Sequence, residues 1–255
     1  MLKTKSGDNW RTQLSLWGIP QEILDQAPEN PWIHPAALFD LPEKIEITPS
    51  HQRAREVNPT SVLDIGCGGG VAAFATDAHQ VIGVDHQSEM LDMFKSHADK
   101  RGRESKTVLG FWPEVADQVE KADVVVAHHV LYNVQNVEDF LLAMNSHATK
   151  RVVIEIPQQH PQSGASGLWK YFWNIERPTT PTSTDLLNVV KELGIDAHLE
   201  LWDGTPRAMV DIEKEAEYAR IRLCLPQSRK SEVLEYMRSH SGSRNRPLAT
   251  IWWDV

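Results

Sequence analysis

Residues 61–70 read Ser-Val-Leu-Asp-Ile-Gly-Cys-Gly-Gly-Gly, and this stretch decides the fold. SVLDI is a short apolar, β-branched run of the kind that makes a buried strand. The glycines that follow form a turn almost free of side chains, and VAAFATDA after them reads as the entry to a helix. A strand, a glycine turn and a helix, in that order, open a parallel α/β unit.

The alternation continues outward from this point. QVIGVD (80–85) is a second strand, and SEMLDMFKSHADKRG is a helix with Ser88 as its cap. KTVLGF (106–111) is a third strand, and PEVADQVE a short helix opened by Pro113. ADVVVAHH (122–129) is a buried fourth strand. A helix after it carries Val137, Phe140, Leu141 and Met144 at spacings of three and four, and RVVIEIP (151–157) is the fifth strand. Parallel neighbours need long crossovers, so the pattern predicts a doubly wound α/β sheet with helices on both faces. Further on, an aromatic helix sits in a Gly/Pro-rich stretch. A helix ended by Gly194 leads to the strand AHLELW (197–202), residues 211–240 are helical with a break at Pro226, and LATIWWDV pairs with the sixth strand. Before residue 60, Pro20, Pro28, Pro31, Pro35, Pro42 and Pro49 punctuate short segments, with helices expected at 9–17 and 20–26 and another started by Thr48 with Pro49. The expected organisation is a helical cap over 1–47 and a main domain over 48–255. Lid or insertion segments are expected at about 158–182 and 203–247.

The chain has 255 residues, with 26 Lys and Arg against 35 Asp and Glu, a formal charge of -9. That balance disfavours nucleic acid as a partner, because phosphate binding draws on Lys and Arg. Cys67 and Cys224 are too far apart in sequence for a metal-ligand cluster, so no metal is expected. No apolar run approaches a membrane span, and MLKTKSGDNW lacks the apolar stretch of a secretory signal; a cytoplasmic location is the expectation.

The glycine turn lies where parallel sheets bind ligands, beyond the carboxyl ends of the strands. A dinucleotide loop needs a third glycine where this chain has Val71, and no Gly-Lys-Ser/Thr follows for a nucleotide triphosphate. Asp64 immediately precedes the turn; its carboxylate repels a pyrophosphate and attracts an ammonium or sulfonium group. Asp85 ends the second strand, where a carboxylate accepts hydrogen bonds from ribose hydroxyls. A cationic amino acid at one acid and a ribose at the other describe S-adenosyl-L-methionine.

VLDIGCGGG and VIGVD resemble the first two motifs of the class I S-adenosylmethionine-dependent methyltransferases. The resemblance covers about residues 48–200. It implies a Rossmann-like seven-stranded sheet of order 3-2-1-4-5-7-6 with the last strand antiparallel. It also implies cofactor contacts from Asp64, Gly66, Cys67, Gly68, Gly70, Asp85 and His128. His86 and Met90 would line the adenine side. Many members carry an acid after the third strand, whereas this chain has Gly110-Phe111-Trp112, so Phe111 or Trp112 is expected to stack on the purine instead.

In that fold the end of the fourth strand faces the transferred methyl group, which makes His129 and His128 the candidates for a general base. Tyr132 is a weaker one. Arg53 or Arg55 offers a bidentate contact to a carboxylate. Trp10, Trp17 and Trp32, with Trp169, Tyr171, Phe172 and Trp173, either roof an acceptor pocket or pack the cap. The basic residues Arg220, Arg222, Arg229, Lys230 and Arg238 read as a solvated helix face. The Asp/Asn-Pro-Pro-aromatic signature of amino methylation on nucleobases is missing. The expected activity is methyl transfer to a small-molecule acceptor, at oxygen or nitrogen rather than carbon. An RNA methyltransferase and a non-catalytic cofactor-binding protein stand as alternatives.

Overall fold

A computed structural model of the chain describes residues 3–32, 41–205, 211–240 and 245–255. Seven strands form one sheet: β1 (Ser61–Ile65), β2 (Gln80–Asp85), β3 (Glu104–Leu109), β4 (Ala122–His128), β5 (Ala148–Pro157), β6 (His198–Gly204) and β7 (Arg246–Asp254). Their order is β3-β2-β1-β4-β5-β7-β6, the order that the sequence resemblance implies. β1 to β5 run parallel, and β7 lies antiparallel between β5 and β6. Register sets the site: Asp64 lies level with Gly83 and Val126, Asp85 with Leu109, and His128 with Glu155.

The central strands β1, β2, β4, β5 and β7 are buried on both faces, so their residues alternate between two cores, whereas the edge strands β3 and β6 stay largely exposed. On one face Leu63, Ile65, Val125, Ala127, Val152 and Ile154 join a cluster with α6 (Val137–His147) and α8 (Ser183–Glu192). Trp10 and Leu14 of α1 (Lys5–Ser15) belong to the same cluster. On the other face Val62, Val124, Val126 and Val153 meet α4 (Val71–Phe74), α5 (Ser88–Lys100) and Ala54 of α3 (Pro49–Arg55). A third, smaller core joins pieces distant in sequence. Ile23 of α2 (Gln21–Leu24), Trp169 of α7 (Ser166–Trp173), Ala216 of α9 (Ile212–Arg222) and Val233 of α10 (Lys230–Ser239) all contribute to it. The segments expected as amino-terminal cap and as insertions therefore contribute residues to one apolar cluster. Residues 33–40 of that cap, and 206–210 and 241–244 of the second insertion, lie outside the described residues.

Several boundaries differ from the sequence pattern. α1 starts at Lys5 rather than residue 9, because Thr4 caps it by accepting the Gly7 N–H at 2.8 Å. Ser88 is the first residue of α5, and Gln87 holds the cap position without a side-chain bond. β3 covers 104–109 instead of 106–111. Gly110, at φ +152°, turns the chain where a side chain would stand 2.2 Å from Val115. The helix expected from Pro113 is only a 3-10 turn at Ala116–Gln118, too short to sustain α-helical bonding.

Candidate active site

A cleft of about 690 Å³ opens beyond the carboxyl tips of β1, β4 and β5. Asp64 and the glycine turn line one side, and His51, His128, His129 and Glu155 line its floor. Ile45, Ile47, Trp202 and Leu248 add an apolar wall. Among the described residues no group of His, Cys, Asp or Glu is arranged to hold a metal ion, and no helix is long and apolar enough to cross a membrane.

The turn is shaped by left-handed backbone at Gly66 (φ +67°), Gly68 (+49°) and Gly70 (+90°), which only glycine adopts at no steric cost. Val84 O holds both the Gly66 and the Cys67 N–H, at 2.8 and 3.1 Å. Asp64 is fully buried, and its Oδ2 accepts the Ala73 N–H at 3.2 Å. Burial pushes its carboxyl up to about 8; the Ala73 bond opposes the shift and the Asp85 charge adds to it. A buried carboxyl with one N–H partner suits a cationic amino group, whose charge offsets the desolvation. Cys67 lines the cleft, but burial, with the charges of Asp64 and Asp85, raises its thiol pKa, so it is no nucleophile. Gly70 departs from its expected role. A Cβ there would lie 2.3 Å from Phe74 and 2.8 Å from Phe94, so this glycine makes room for core rings, not for a ligand.

Asp85 fixes the turn as well as ending β2. Its Oδ2 accepts the Gly68 N–H and its Oδ1 the Gln87 N–H, each at 3.0 Å. Each carboxylate oxygen has two lone pairs, so acceptor capacity remains for hydroxyls. His86 Nδ1 lies 3.4 Å from Asp85 Oδ1, and its ring stacks on Phe111 at 4.9 Å. Phe111 is 61% exposed, and the pair forms an aromatic rim at the ends of β2 and β3. Met90 is buried in α5. Trp112 does not join the rim: it is buried in the core, its Nε1 donates to Phe140 O at 3.3 Å, and it packs edge-on against His147. The purine-stacking expectation fails for Trp112, because its ring is taken up by the core while that of Phe111 stays exposed.

At the cleft floor His128 and His129 diverge, as adjacent residues must. His128 is half-buried, and its ring stacks on His51 at 5.2 Å. Burial drives His128 down to about 3, so it stays neutral and unsuited to hold a proton near pH 7. The Nε2 atoms of His128 and His51 are both buried without a hydrogen-bond partner among the described residues. His129 is half-exposed, and its Nε2 lies 3.1 Å from Glu155 Oε1. Glu155 also accepts the Thr48 hydroxyl at 2.8 Å. Burial works to raise the Glu155 carboxyl, but the His128 and His129 rings and the Thr48 bond outweigh it and hold the group below the usual carboxylate range. Sequence reasoning passed over Glu155, although a lone acid inside RVVIEIP was a signal. Thr48 was read only as a helix cap, and it is that too: it forms a capping box with His51.

Other candidates lie elsewhere. Tyr132 is buried against Trp10, and its hydroxyl donates to Pro157 O at 3.0 Å. Arg53 pairs with Glu56 and Glu200 over the Trp252 ring, and Arg55 pairs with Asp77, so neither reaches the cleft floor. Trp10 and Trp169 are core residues. Arg220 is no surface charge: it is fully buried, bonding Glu29, Glu217 and Leu225 O.

Comparisons with known proteins agree with this architecture. A family profile described as "Methyltransferase domain" matches residues 36–199. A ubiquinone biosynthesis O-methyltransferase of Azorhizobium caulinodans is 37% identical over 93 residues, which is 34% of this chain. The match spans only 37% of that protein's length. The YcgJ protein of Bacillus subtilis superposes with a TM-score of 0.53 at 14% identity, over 80% of this chain and 95% of the other. Coclaurine N-methyltransferase, bound to N-methylheliamine and SAH, superposes at 0.51 and 13% identity, over 97% and 85%. The profile covers well over half of the sequence and the sheet order matches the fold, so the chain belongs to the class I S-adenosylmethionine-dependent methyltransferases.

Proposed function

We propose that this protein transfers a methyl group from S-adenosyl-L-methionine to a hydroxyl or amine of a small molecule, with His129 as general base. The observation that carries the reading is the His129–Glu155 pair at the floor of a cleft whose opposite side is the glycine turn. Asp64 would hold the amino group of the cofactor, Asp85 its ribose, and His86 with Phe111 its adenine. The cofactor supplies a methyl carbon already activated by sulfonium, so the protein's task is alignment and proton removal.

Glu155 accepts from His129 Nε2, which fixes the tautomer with the proton on that nitrogen. Nδ1 is then the basic atom, and it takes the proton of an acceptor O–H or N–H as the new bond to the methyl carbon forms. The carboxylate offsets the positive charge that the ring gains. The apolar wall of Ile45, Ile47 and Trp202 would hold the acceptor's body and keep water out. A ubiquinone-pathway O-methyltransferase among the relatives supports an oxygen acceptor and coclaurine N-methyltransferase a nitrogen one; both are small molecules. The test is formation of S-adenosylhomocysteine with panels of phenols, alcohols, amines and bulk RNA. Turnover with a phenol, alcohol or amine supports the reading, and transfer to RNA alone overturns it.

A further inference from the structure

Arg177 sits in the segment between α7 and α8 and is buried, only 9% exposed. Its Nη1 donates to Trp17 O and Gly18 O at 3.3 and 3.0 Å, and its guanidinium lies 4.0 Å above the Trp169 ring. Nε and Nη2 are both buried and have no hydrogen-bond partner among the described residues. Those two nitrogens share one edge of the guanidinium plane, the edge that offers parallel N–H donors to the two oxygens of a carboxylate or phosphate.

The other deeply seated arginines behave differently. Arg151 pairs with Glu56 and Asp254, and Arg220 with Glu29 and Glu217. A chain with 35 acidic residues has acids to spare, yet no carboxylate faces Arg177 among the described residues. His160 is close enough to feel its charge, stacks on Trp17 at 4.0 Å and packs edge-on to Tyr132. Its Nδ1 accepts the Gln162 N–H, which leaves the proton on Nε2. A buried cation without a counter-charge is costly, and an oxyanion removes that cost.

We propose that Arg177 is the anchor for an oxyanion, a carboxylate or phosphate, carried by the methyl acceptor, with Trp17 and His160 closing over it. His160 follows Pro157 beyond the carboxyl end of β5, the same sheet edge that presents Glu155 and His129. The assignment to the acceptor rests on reading the cleft as the methyl-transfer site; the oxyanion site itself does not.

The experiment is thermal unfolding and calorimetric titration of the full chain with sodium phosphate, acetate and benzoate against sodium chloride at equal ionic strength. S-adenosylhomocysteine is titrated into the same samples. Saturable binding is expected for at least one oxyanion, raising Tm by about 5–10 °C at a hundredfold excess over Kd. Arg177→Met should abolish that response and keep S-adenosylhomocysteine binding. Arg177→Lys retains the charge but loses the paired donors, and should weaken oxyanion binding by about tenfold or more. If Arg177→Met does not fold, the Nε–H resonance of Arg177 in the labelled parent protein is followed instead, and must move with oxyanion and not with chloride. A parent protein that takes S-adenosylhomocysteine but shows no saturable oxyanion response, or one that Arg177→Met shares, overturns the site and leaves the methyltransferase reading standing. Oxyanion binding without S-adenosylhomocysteine binding keeps the site but overturns its link to an acceptor.

Discussion

His129 Nε2 and Glu155 Oε1 are 3.1 Å apart, and the two residues are joined a second time through the backbone, His129 N–H to Glu155 O at 2.8 Å. His129 is held at φ +61°, a left-handed conformation unusual for a side chain of its size. Two bonds to one neighbour hold it there, the kind of over-determined strain that accompanies functional geometry. The pair predicts a separable effect. His129→Ala should lower kcat by about 10²–10⁴-fold, the range for a lost general base, with cofactor affinity unchanged. Glu155→Gln should lower kcat less and displace the pH–rate profile, because the tautomer and the charge compensation are lost while the ring remains. Steady-state kinetics over pH, with calorimetry for S-adenosylhomocysteine, checks both. Equal kcat in the parent and His129→Ala removes this residue from the chemistry.

The proposed contact of Asp64 with the cofactor's amino group would make cofactor binding a proton-linked event. Burial raises its carboxyl to about 8, so near neutral pH the unliganded protein carries it mostly protonated. A cationic amino group favours the ionised form, so binding expels the proton. Affinity should rise with pH toward 8, by up to about tenfold per unit, and level off above it. The stability of the unliganded fold runs the opposite way. A raised carboxyl pKa stabilises below 3.8, and that contribution disappears as pH climbs through about 8. Calorimetry in buffers of different ionisation enthalpy measures the proton count, and Asp64→Asn should bring it to zero. A parent protein that binds with no proton exchange at pH 6.5 would disprove the assignment of Asp64.

The buried histidines govern the acid limb. Burial lowers His128 to about 3; for His160, burial and the Arg177 charge give about 4, both from 6.5. A depressed folded pKa means the unfolded chain binds protons first. The stability these rings contribute is complete above 6.5 and is lost progressively as pH falls through about 4 and 3. Each should account for about 3 kcal/mol by pH 4. Urea midpoints between pH 7 and 4 should therefore fall less steeply in His128→Gln and in His160→Phe. Identical slopes in all three proteins would mean the rings are solvated when folded.

The parallel sheet was legible because its central strands are buried on both faces and so read as continuous apolar runs, while Gly66–Gly70 advertises a ligand turn. Asp64 and Asp85 stood out as charges at the ends of such runs. What stayed hidden depends on contacts between distant segments. Glu155 becomes informative only when parallel register sets β5 beside β4, and Thr48 only when its hydroxyl reaches Glu155 across 107 positions. Trp112 and Phe111 are indistinguishable in sequence; only the packing of Trp112 against Phe140 and His147 shows which one enters the core. Arg220 looked like surface charge because nothing local reveals its pairing with Glu29.

Gly70 separates packing from ligand recognition within the same turn. An added Cβ would meet the Phe74 ring at 2.3 and 2.7 Å and Phe94 at 2.8 Å, and φ is +90°, so a side chain is refused by sterics and by backbone alike. Gly70→Ala should cost about 2–4 kcal/mol of stability, combining left-handed strain with an overpacked core. The two rings belong to the cluster beneath α4 and α5, so the damage should spread through that face of the sheet. Truncating an offending ring relieves the clash, so Gly70→Ala with Phe74→Leu should recover part of the loss, a non-additive pair. Glycine placed only for contact with a ligand would behave otherwise. The single variant would then unfold at the parental denaturant midpoint and lose affinity alone, and that outcome would return Gly70 to the binding surface.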